Sequence, residues 1–406
     1  MYFPRLLSER LEARASRGKV RLLFGPRQTG KTMLLEHGIP GIHRIDLGAP
    51  SERRLYEADP ARLARELKAL PVKVRSVVLD EIQKVPPLLD EVQSLYDRDR
   101  KRFEFFLTGS SARKLRTDSA NLPPGRSHVF RLGPVTLLET RRESAFDWMG
   151  RKTRAEAAKG FPPQTLGRQL TLGSLPGVRL ETQAAARETL RAYVENYLEE
   201  EIRREAVVRD LGPFSSFLRL AAVESGRTIN LTRLSQETGI GLATLRNYYD
   251  VLADTFVGYR VPAYGRAGRK RLLTTPKFLF FDVGVRNAAA DASLDPGSYG
   301  ATGGELLEQW VGAELVTRAM TMGQGDRVTF WRTVTGAEVD FVWEGKKADI
   351  PIEVKWTENP RSEDARHLET FLDTYPDRAP LGLLVCRTPR RQQLSERVVA
   401  IPWDEL

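Results

Sequence analysis

The chain has 406 residues, 41% apolar and 29% charged, a balance that reads as soluble and globular, and its length gives room for about two to four domains. A formal net charge of +10 suits a polyanionic partner such as nucleic acid, and suits equally an arginine-rich proteome from a GC-rich genome or a hot habitat. No apolar run is long enough to span a membrane, the single Cys386 rules out an intrachain disulfide or a cysteine zinc site, and the four histidines show no metal-ligand spacing.

The opening MYFPRLLSERLEARASRG is too often interrupted by charge for a secretory leader, so a cytoplasmic location is the default expectation. Short apolar runs then recur at Val20–Phe24, Ile42–Leu47, Ser76–Leu79 and Phe103–Leu107, with helical stretches between them. That alternation predicts a parallel sheet covered by helices. Val129–Leu138 reads as a further strand, broken at Gly133–Pro134. From Arg141 to Arg168 the chain reads as an exposed helix and loop, and a longer helix is expected from Gln183 toward Arg209. Together they would form a helical lid.

Leu231–Thr238, the turn Gly239–Ile240–Gly241 and Leu242–Leu252 read as helix, tight turn, helix. Phe256–Pro262 and Lys277–Phe281 add a hairpin, and the combination is that of a winged helix. A helix at Glu305–Met320 follows, then strands at Val328–Arg332, Val339–Trp343 and Ile350–Lys355, a helix near Glu363–Thr374 and a strand at Leu381–Cys386. The expected division is an α/β core over 1–140, a helical lid over 141–212, a winged helix over 213–290 and a small α/β domain over 291–406.

The segment after the first strand, Gly25-Pro26-Arg27-Gln28-Thr29-Gly30-Lys31-Thr32, fits G-x-x-x-x-G-K-[ST] without a mismatch, and Met33 opens the helix behind it. Glycines let such a loop turn its N–H groups toward phosphate oxygens, and the helix N-terminus adds partial positive charge. Lys31 is expected on the β- and γ-phosphates of ATP and Thr32 on Mg²⁺. Asp80 and Glu81 end the third strand. Asp80 is the expected second Mg²⁺ residue, and Glu81 the group that polarises the attacking water. At the tip of the fourth strand, Thr108 or Ser110 suits a sensor of the γ-phosphate, while Ser110 and Ser111 also suit a plain helix cap.

GPRQTGKT, LDEIQKVP, FFLTGSSARKL and Gly125–Arg126 together resemble an AAA-type P-loop ATPase. The similarity is closest to the bacterial and archaeal branch with an N-terminal AAA domain and a C-terminal domain of unknown function. GSLPGV (Gly173–Val178), KFLFFDVG (Lys277–Gly284) and GELLEQWVGAEL (Gly304–Leu315) resemble that branch's C-terminal signature. The resemblance implies ATP and Mg²⁺ as cofactors. It also implies a role for Arg126 as a finger on a neighbouring subunit's nucleotide, and hence a homo-oligomer such as a ring. The usual sensor asparagine is replaced by Thr108 or Ser110.

Asp340 followed by Glu353-Val354-Lys355 fits D-x(n)-E-x-K, with Glu308 as a further carboxylate, and resembles the PD-(D/E)xK nuclease core. In that reading Asp340 and Glu353 bind Mg²⁺ and Lys355 positions water; the alternative is a solvated strand face. On the second helix of the helix-turn-helix, Thr244, Arg246, Asn247, Tyr248 and Tyr249 are residue types that contact DNA. The hairpin turn adds Arg266, Arg269, Lys270 and Arg271 as a basic wing beside Tyr264. Three functions are consistent with these features: an ATP-driven DNA-processing machine, a nucleotide-controlled switch with a protein partner, and an ATP-licensed nuclease.

Overall fold

Successive residues of a strand face opposite sides, so a strand covered on both faces needs an unbroken apolar run. The N-terminal strands follow this rule in the computed structural model, which describes residues 2–13, 16, 18–111, 125–140, 148, 160–198, 211–265, 275–323 and 325–406. In Val20–Phe24 (β1), Leu22 and Phe24 join Val77, Leu79, Phe105 and Leu107 in one core, while Leu23 joins Val78, Phe106 and Phe130 in another. The sheet is completed by His43–Asp46 (β2), Ser76–Asp80 (β3), Glu104–Gly109 (β4) and Ser127–Arg131 (β5). Its order is β2-β3-β4-β1-β5 and every pairing is parallel. β2, with the polar sequence HRID, stands at an edge, where only Ile45 is buried.

A basic charge lies inside this sheet. Arg21 of β1 is buried, yet its Nη1 donates to Glu104 Oε2 at 2.8 Å and its guanidinium lies 4.6 Å from the centre of the Phe106 ring. The expected strand over Val129–Leu138 stops at Arg131; beyond the Gly133–Pro134 break, Leu137–Glu139 form a 3₁₀ turn held by a Thr136–Glu139 capping box.

Chain contacts divide the protein into two compact units. The first is Met1–Gly133 with Asp254–Phe256 and Met320–Met322; the second is Pro134–Ala253, Val257–Ala319 and Gly323–Leu406.

Within the second unit, one apolar cluster runs from Leu172 to Leu294 and includes Leu190, Phe214, Phe217, Tyr248, Tyr249, Phe278 and Phe280. Helices over Leu166–Leu172, Gln183–Ala192, Leu211–Val223, Leu231–Thr238 and Leu242–Asp254 contribute to it. The helix expected from Gln183 toward Arg209 is α-helical to Ala192 and then π-helical over Tyr193–Leu198; residues 199–210 lie outside the described residues. Helix, Gly239 turn and helix are followed by the antiparallel pair Gly258–Val261 (β6) and Lys277–Phe280 (β7). The turn's Gly239 has φ +70, the left-handed value a helix C-cap favours.

The remaining sheet is mixed, in the order β12-β13-β11-β10-β9-β8. Its strands are Arg327–Arg332 (β8), Glu338–Glu344 (β9), Asp349–Val354 (β10), Gly382–Cys386 (β11), Gln392–Gln393 (β12) and Val398–Pro402 (β13). β8, β9 and β10 form an antiparallel meander, and β11 and β13 extend it in parallel. The helix Gly303–Met322 precedes the sheet, and Arg366–Thr374 packs on β9, β10 and β11. No helix among the described residues is long and apolar enough to cross a membrane.

Two of the sequence motifs interlock. Asp282, fully buried, caps the helix Val283–Ala289 through the Val285 N–H at 3.1 Å and accepts the Ser174 N–H at 2.6 Å. Burial pushes its carboxyl up to about 6, against the opposing pull of these backbone donors. A Cβ on Gly284 would fall 2.3 Å from the Leu172 carbonyl oxygen. Gly284→Ala is therefore expected to cost about 3 kcal/mol through overpacking. Gly177→Ala, with nothing within 4 Å of its new Cβ, is the matched control. Equal denaturant midpoints for the two variants would refute the interlock.

Candidate nucleotide site and charged clusters

β1 delivers the chain into the loop Gly25–Gly30, and the helix Lys31–Gly38 leaves it. A Cβ on Gly25 would lie 2.1 Å from the Leu132 carbonyl oxygen, so only glycine fits there. Gly30 has φ +88 and Gln28 φ +61, the turns that wrap the loop. Lys31 is buried, with Nζ 2.9 Å from the Gly25 carbonyl oxygen and 2.8 Å from that of Pro26. Thr29 Oγ1 donates to the Pro26 carbonyl at 2.9 Å. Arg27 is half-buried, and Gln28 and Met33 are exposed. Arg5, outside the loop motif, clamps this loop by donating to the carbonyls of Thr29 at 2.7 Å and Gly133 at 2.9 Å.

Asp80 is the meeting point of the site. Its Oδ2 accepts from Thr32 Oγ1 at 2.8 Å and from Arg44 Nη2 at 2.8 Å; its Oδ1 accepts from Thr108 Oγ1. Burial works against ionisation, but the hydrogen bonds from Thr108, Thr32 and Arg44 outweigh it and hold the Asp80 carboxyl below its ordinary value. The Thr32 hydroxyl and the Asp80 carboxylate thus face one point, a hard oxygen donor pair that suits Mg²⁺ beside a phosphate cradle.

Glu81 follows in the left-handed conformation, φ +60, with its N–H donating to Thr108 Oγ1 at 3.1 Å. Its carboxylate is held by Gln83 Nε2 at 2.6 Å and Ser110 Oγ at 3.3 Å, and Gln83 also donates to Ser110 at 3.1 Å. Thr108 therefore touches both carboxylate residues' positions, and Ser110 one of them. Arg126 lies at the start of β5, the sheet end opposite the loop of its own chain, with Nη1 2.7 Å from Asp97 Oδ2.

Arg44 and Gln83 join the site from outside the expected set. Arg44 comes from β2, whose Asp46 stands level with Asp80 of β3. A charged pair on a strand neighbouring the Asp80 strand was the available signal.

In the helix-turn-helix, Thr244 and Arg246 are exposed and Asn247 is half-buried. Tyr248 and Tyr249 do not join them. They lie on the inner face of the second helix, packed on Phe214, Phe217 and Phe278, because helical spacing puts both beside Leu245 and Leu252. Arg266, Arg269, Lys270 and Arg271 lie outside the described residues. Tyr264 is buried, donating to Asp349 Oδ2 at 2.8 Å.

In the mixed sheet, β9 and β10 pair Phe341 with Ile352, which sets Asp340 beside Glu353 and Val354. The Val354 N–H donates to Asp340 Oδ2 at 2.8 Å, and Lys355 Nζ lies 2.8 Å from Glu353 Oε1. Glu308 bonds instead to Lys277 Nζ, at 3.1 Å. Among the described residues no three acidic, histidine or cysteine side chains form a metal-ligand group. The expected pair Asp340 and Glu353 lies on adjacent strands, with Lys355 on Glu353 and Lys277 on Glu308.

Fold and site define a P-loop nucleotide-binding domain on a parallel α/β sheet. Residues 17–140 match the family described as AAA domain; 163–295 match a domain of unknown function (DUF8612) and 303–406 another (DUF4143). Uncharacterized proteins of Mycobacterium bovis and Mycobacterium tuberculosis are each 25% identical to this chain over 98% of its length and 83% of theirs. One from Haemophilus influenzae is 23% identical, over 81% of this chain and 80% of its own.

A depressed carboxyl stabilises a fold above its unfolded value, and that share is lost as pH falls through the folded value. Arg44→Ala removes one donor and raises the Asp80 value. Acid unfolding followed by circular dichroism is expected to move to higher pH in this variant; an unmoved transition would show that Arg44 does not hold Asp80.

Proposed function

We propose that this protein hydrolyses ATP with Mg²⁺ and uses the turnover to act on DNA. The convergence of Thr32, Asp80, Thr108 and Glu81 beside the Lys31 loop carries the reading. When bound, ATP supplies the γ-phosphoryl electrophile and Mg²⁺ offsets its negative charge. Lys31 and the loop N–H groups hold the phosphates; Thr32 and Asp80 hold the cation. Thr108 couples Asp80 to the Glu81 backbone, and the Glu81 carboxylate orients water and takes its proton. Arg126, at the far end of its own sheet, would act as a finger on another copy, which makes a homo-oligomer part of the proposal.

For DNA, the support is the helix-turn-helix that exposes Thr244 and Arg246, together with the +10 net charge. Hydrolysis is to be measured with single-stranded, duplex, forked and four-way-junction DNA. One shape is expected to stimulate turnover, and Lys31→Ala and Glu81→Gln are each expected to lower it about 100-fold or more. Arg246→Ala should weaken DNA binding and reduce its salt dependence. A rate indifferent to every DNA would remove the DNA half of the proposal and leave the ATPase half standing.

A second reading, a slow nucleotide switch worked by a protein partner, is favoured by one observation. The Glu81 carboxylate is engaged by Gln83 and Ser110. If that hold is restraining, Gln83→Ala should raise the basal rate several-fold without changing nucleotide affinity. A fall in rate would instead make Gln83 a positioning residue for Glu81.

A further inference from the structure

A positive φ is uncommon outside glycine, and a large aromatic residue keeps one only where its surroundings over-determine it. Among the described residues, four non-glycine residues adopt it: Gln28, Glu81, Phe256 and Asp291. The first two belong to the nucleotide site. Phe256, with φ +60, lies far from them in sequence, outside every motif of that site. It is also buried, with 4% of its surface exposed, in the core that holds Leu22, Phe24, Leu79 and Leu107. The three residues Asp254–Phe256 belong to the first unit, although the chain before and after them belongs to the second.

The ring of Phe256 meets the supports of the phosphate loop. Its centre lies 6.2 Å from that of Phe24, with the planes 21° apart, a stacked arrangement. The Arg131 guanidinium lies 5.9 Å from the same centre. Phe24 and Arg131 are cross-strand partners at the ends of β1 and β5, the last residues before Gly25 and Leu132. The approach just beyond them is close: the Leu132 N–H donates to the Phe24 carbonyl at 2.8 Å, and the Leu132 carbonyl oxygen leaves no room for a Cβ on Gly25. On the β4 side, Phe24 is level with Gly109, and a Cβ on Gly109 would lie 3.1 Å from the Phe24 ring. Gly109 stands between Thr108 and Ser110, which bond to Asp80 and Glu81. The Phe24 ring therefore joins the start of the phosphate loop to the tip of β4, and Phe256 is stacked on that ring.

We propose that Phe256 is a positioning residue of the phosphate site: packed on Phe24 and Arg131, it fixes where β1 releases the chain into the loop Gly25–Gly30, and so how tightly that loop holds a nucleotide's phosphates. The strained backbone at 256 is the conformation that delivers the ring to this place, and the packing of the ring holds the strain. The inference rests on the ATP half of the proposed function and adds to it a residue that no loop motif contains.

The test is binding of N-methylanthraniloyl-ADP with Mg²⁺ to the full chain, read by fluorescence, with melting temperature measured on the same proteins. Phe256→Ala and Phe256→Gly both remove the ring, and glycine also removes the strain at positive φ. Phe256→Gly is therefore expected to melt higher than Phe256→Ala, while both bind the nucleotide about tenfold more weakly than wild type. Phe103→Ala opens the same core at the other end of β4 and is expected to melt lower than wild type with unchanged affinity. Phe256→Leu keeps most of the apolar volume without the flat face, and its affinity is expected between those of wild type and Phe256→Ala. Wild-type affinity in the alanine and glycine variants would overturn the proposal and leave the ATP reading standing. Affinities that follow melting temperature across all four variants would do the same, since Phe256 would then be a core residue and no more. If the alanine and glycine variants do not fold, Phe256→Leu decides, and binding at wild-type strength would overturn the proposal. A wild-type chain that binds no nucleotide would overturn the ATP reading and this inference together.

Discussion

Asp80 is the constraint on which the phosphate site depends. Its two oxygens accept donors from three separate places: the helix behind the loop, the edge strand β2 and the strand β4. The first two are consecutive elements of the chain and the third lies well downstream, and all three meet because the sheet is parallel. In a parallel sheet all carboxyl ends emerge on one side, so polar strand tips gather there while apolar bodies fill the core. The insertion of β4 between β3 and β1 is the decisive step. It sets Thr108 against Asp80 and Ser110 near Glu81, on the side where the phosphate loop begins.

The second unit solves the problem of buried charge differently at two points. Asp282 is satisfied by backbone N–H groups from its own helix and from Ser174, so its role is to fasten two chain segments. Lys277 is satisfied by side-chain carboxylates and aromatic faces, so its partners are themselves ionisable and depend on it in turn. Removing one partner of such a set leaves the others uncompensated in a low-dielectric setting, which costs more than the pair contributes. Two of the motifs singled out in the sequence, GSLPGV and KFLFFDVG, thus owe their composition to close backbone approach and to internal charge balance.

Much of this was legible beforehand. The loop residues 25–32 and the pair Asp80–Glu81 are contiguous stretches whose chemistry needs only local geometry, and the strand–turn–helix setting was visible as an apolar run before a glycine. The helix-turn-helix and hairpin were legible for the same reason. Tyr248 and Tyr249 were misread because residue type was weighed before helical phase: counted from Leu245 and Leu252, both fall on the apolar face. Arg5 and Lys277 were illegible: each acts on a group brought near by strand order or by packing between distant segments, and a single sequence carries no record of that pairing. Arg44 left only the signal of a charged pair on β2, and Gln83, close to Glu81 within LDEIQKVP, carried no mark of its role. The carboxylates Glu308, Asp340 and Glu353 were singled out by motif, but their spacing was not legible, nor was the contact of Glu308 with Lys277, because that lysine lies far upstream of the motif.

The buried Arg21 has a consequence for how the loop is aligned. It faces Phe106 across β1 and β4 and bonds to Glu104 two residues back, while the Gly25 N–H meets the Gly109 carbonyl at the other end of the same pair of strands. Shifting β1 along β4 by one step would turn the guanidinium toward the wrong face of a sheet that is apolar on both sides. The pair therefore works as a ratchet tooth: it makes sliding between these two strands an all-or-none event. The strand that launches the phosphate loop is thereby indexed to the strand that carries Thr108, at the end of the sheet farthest from the chemistry.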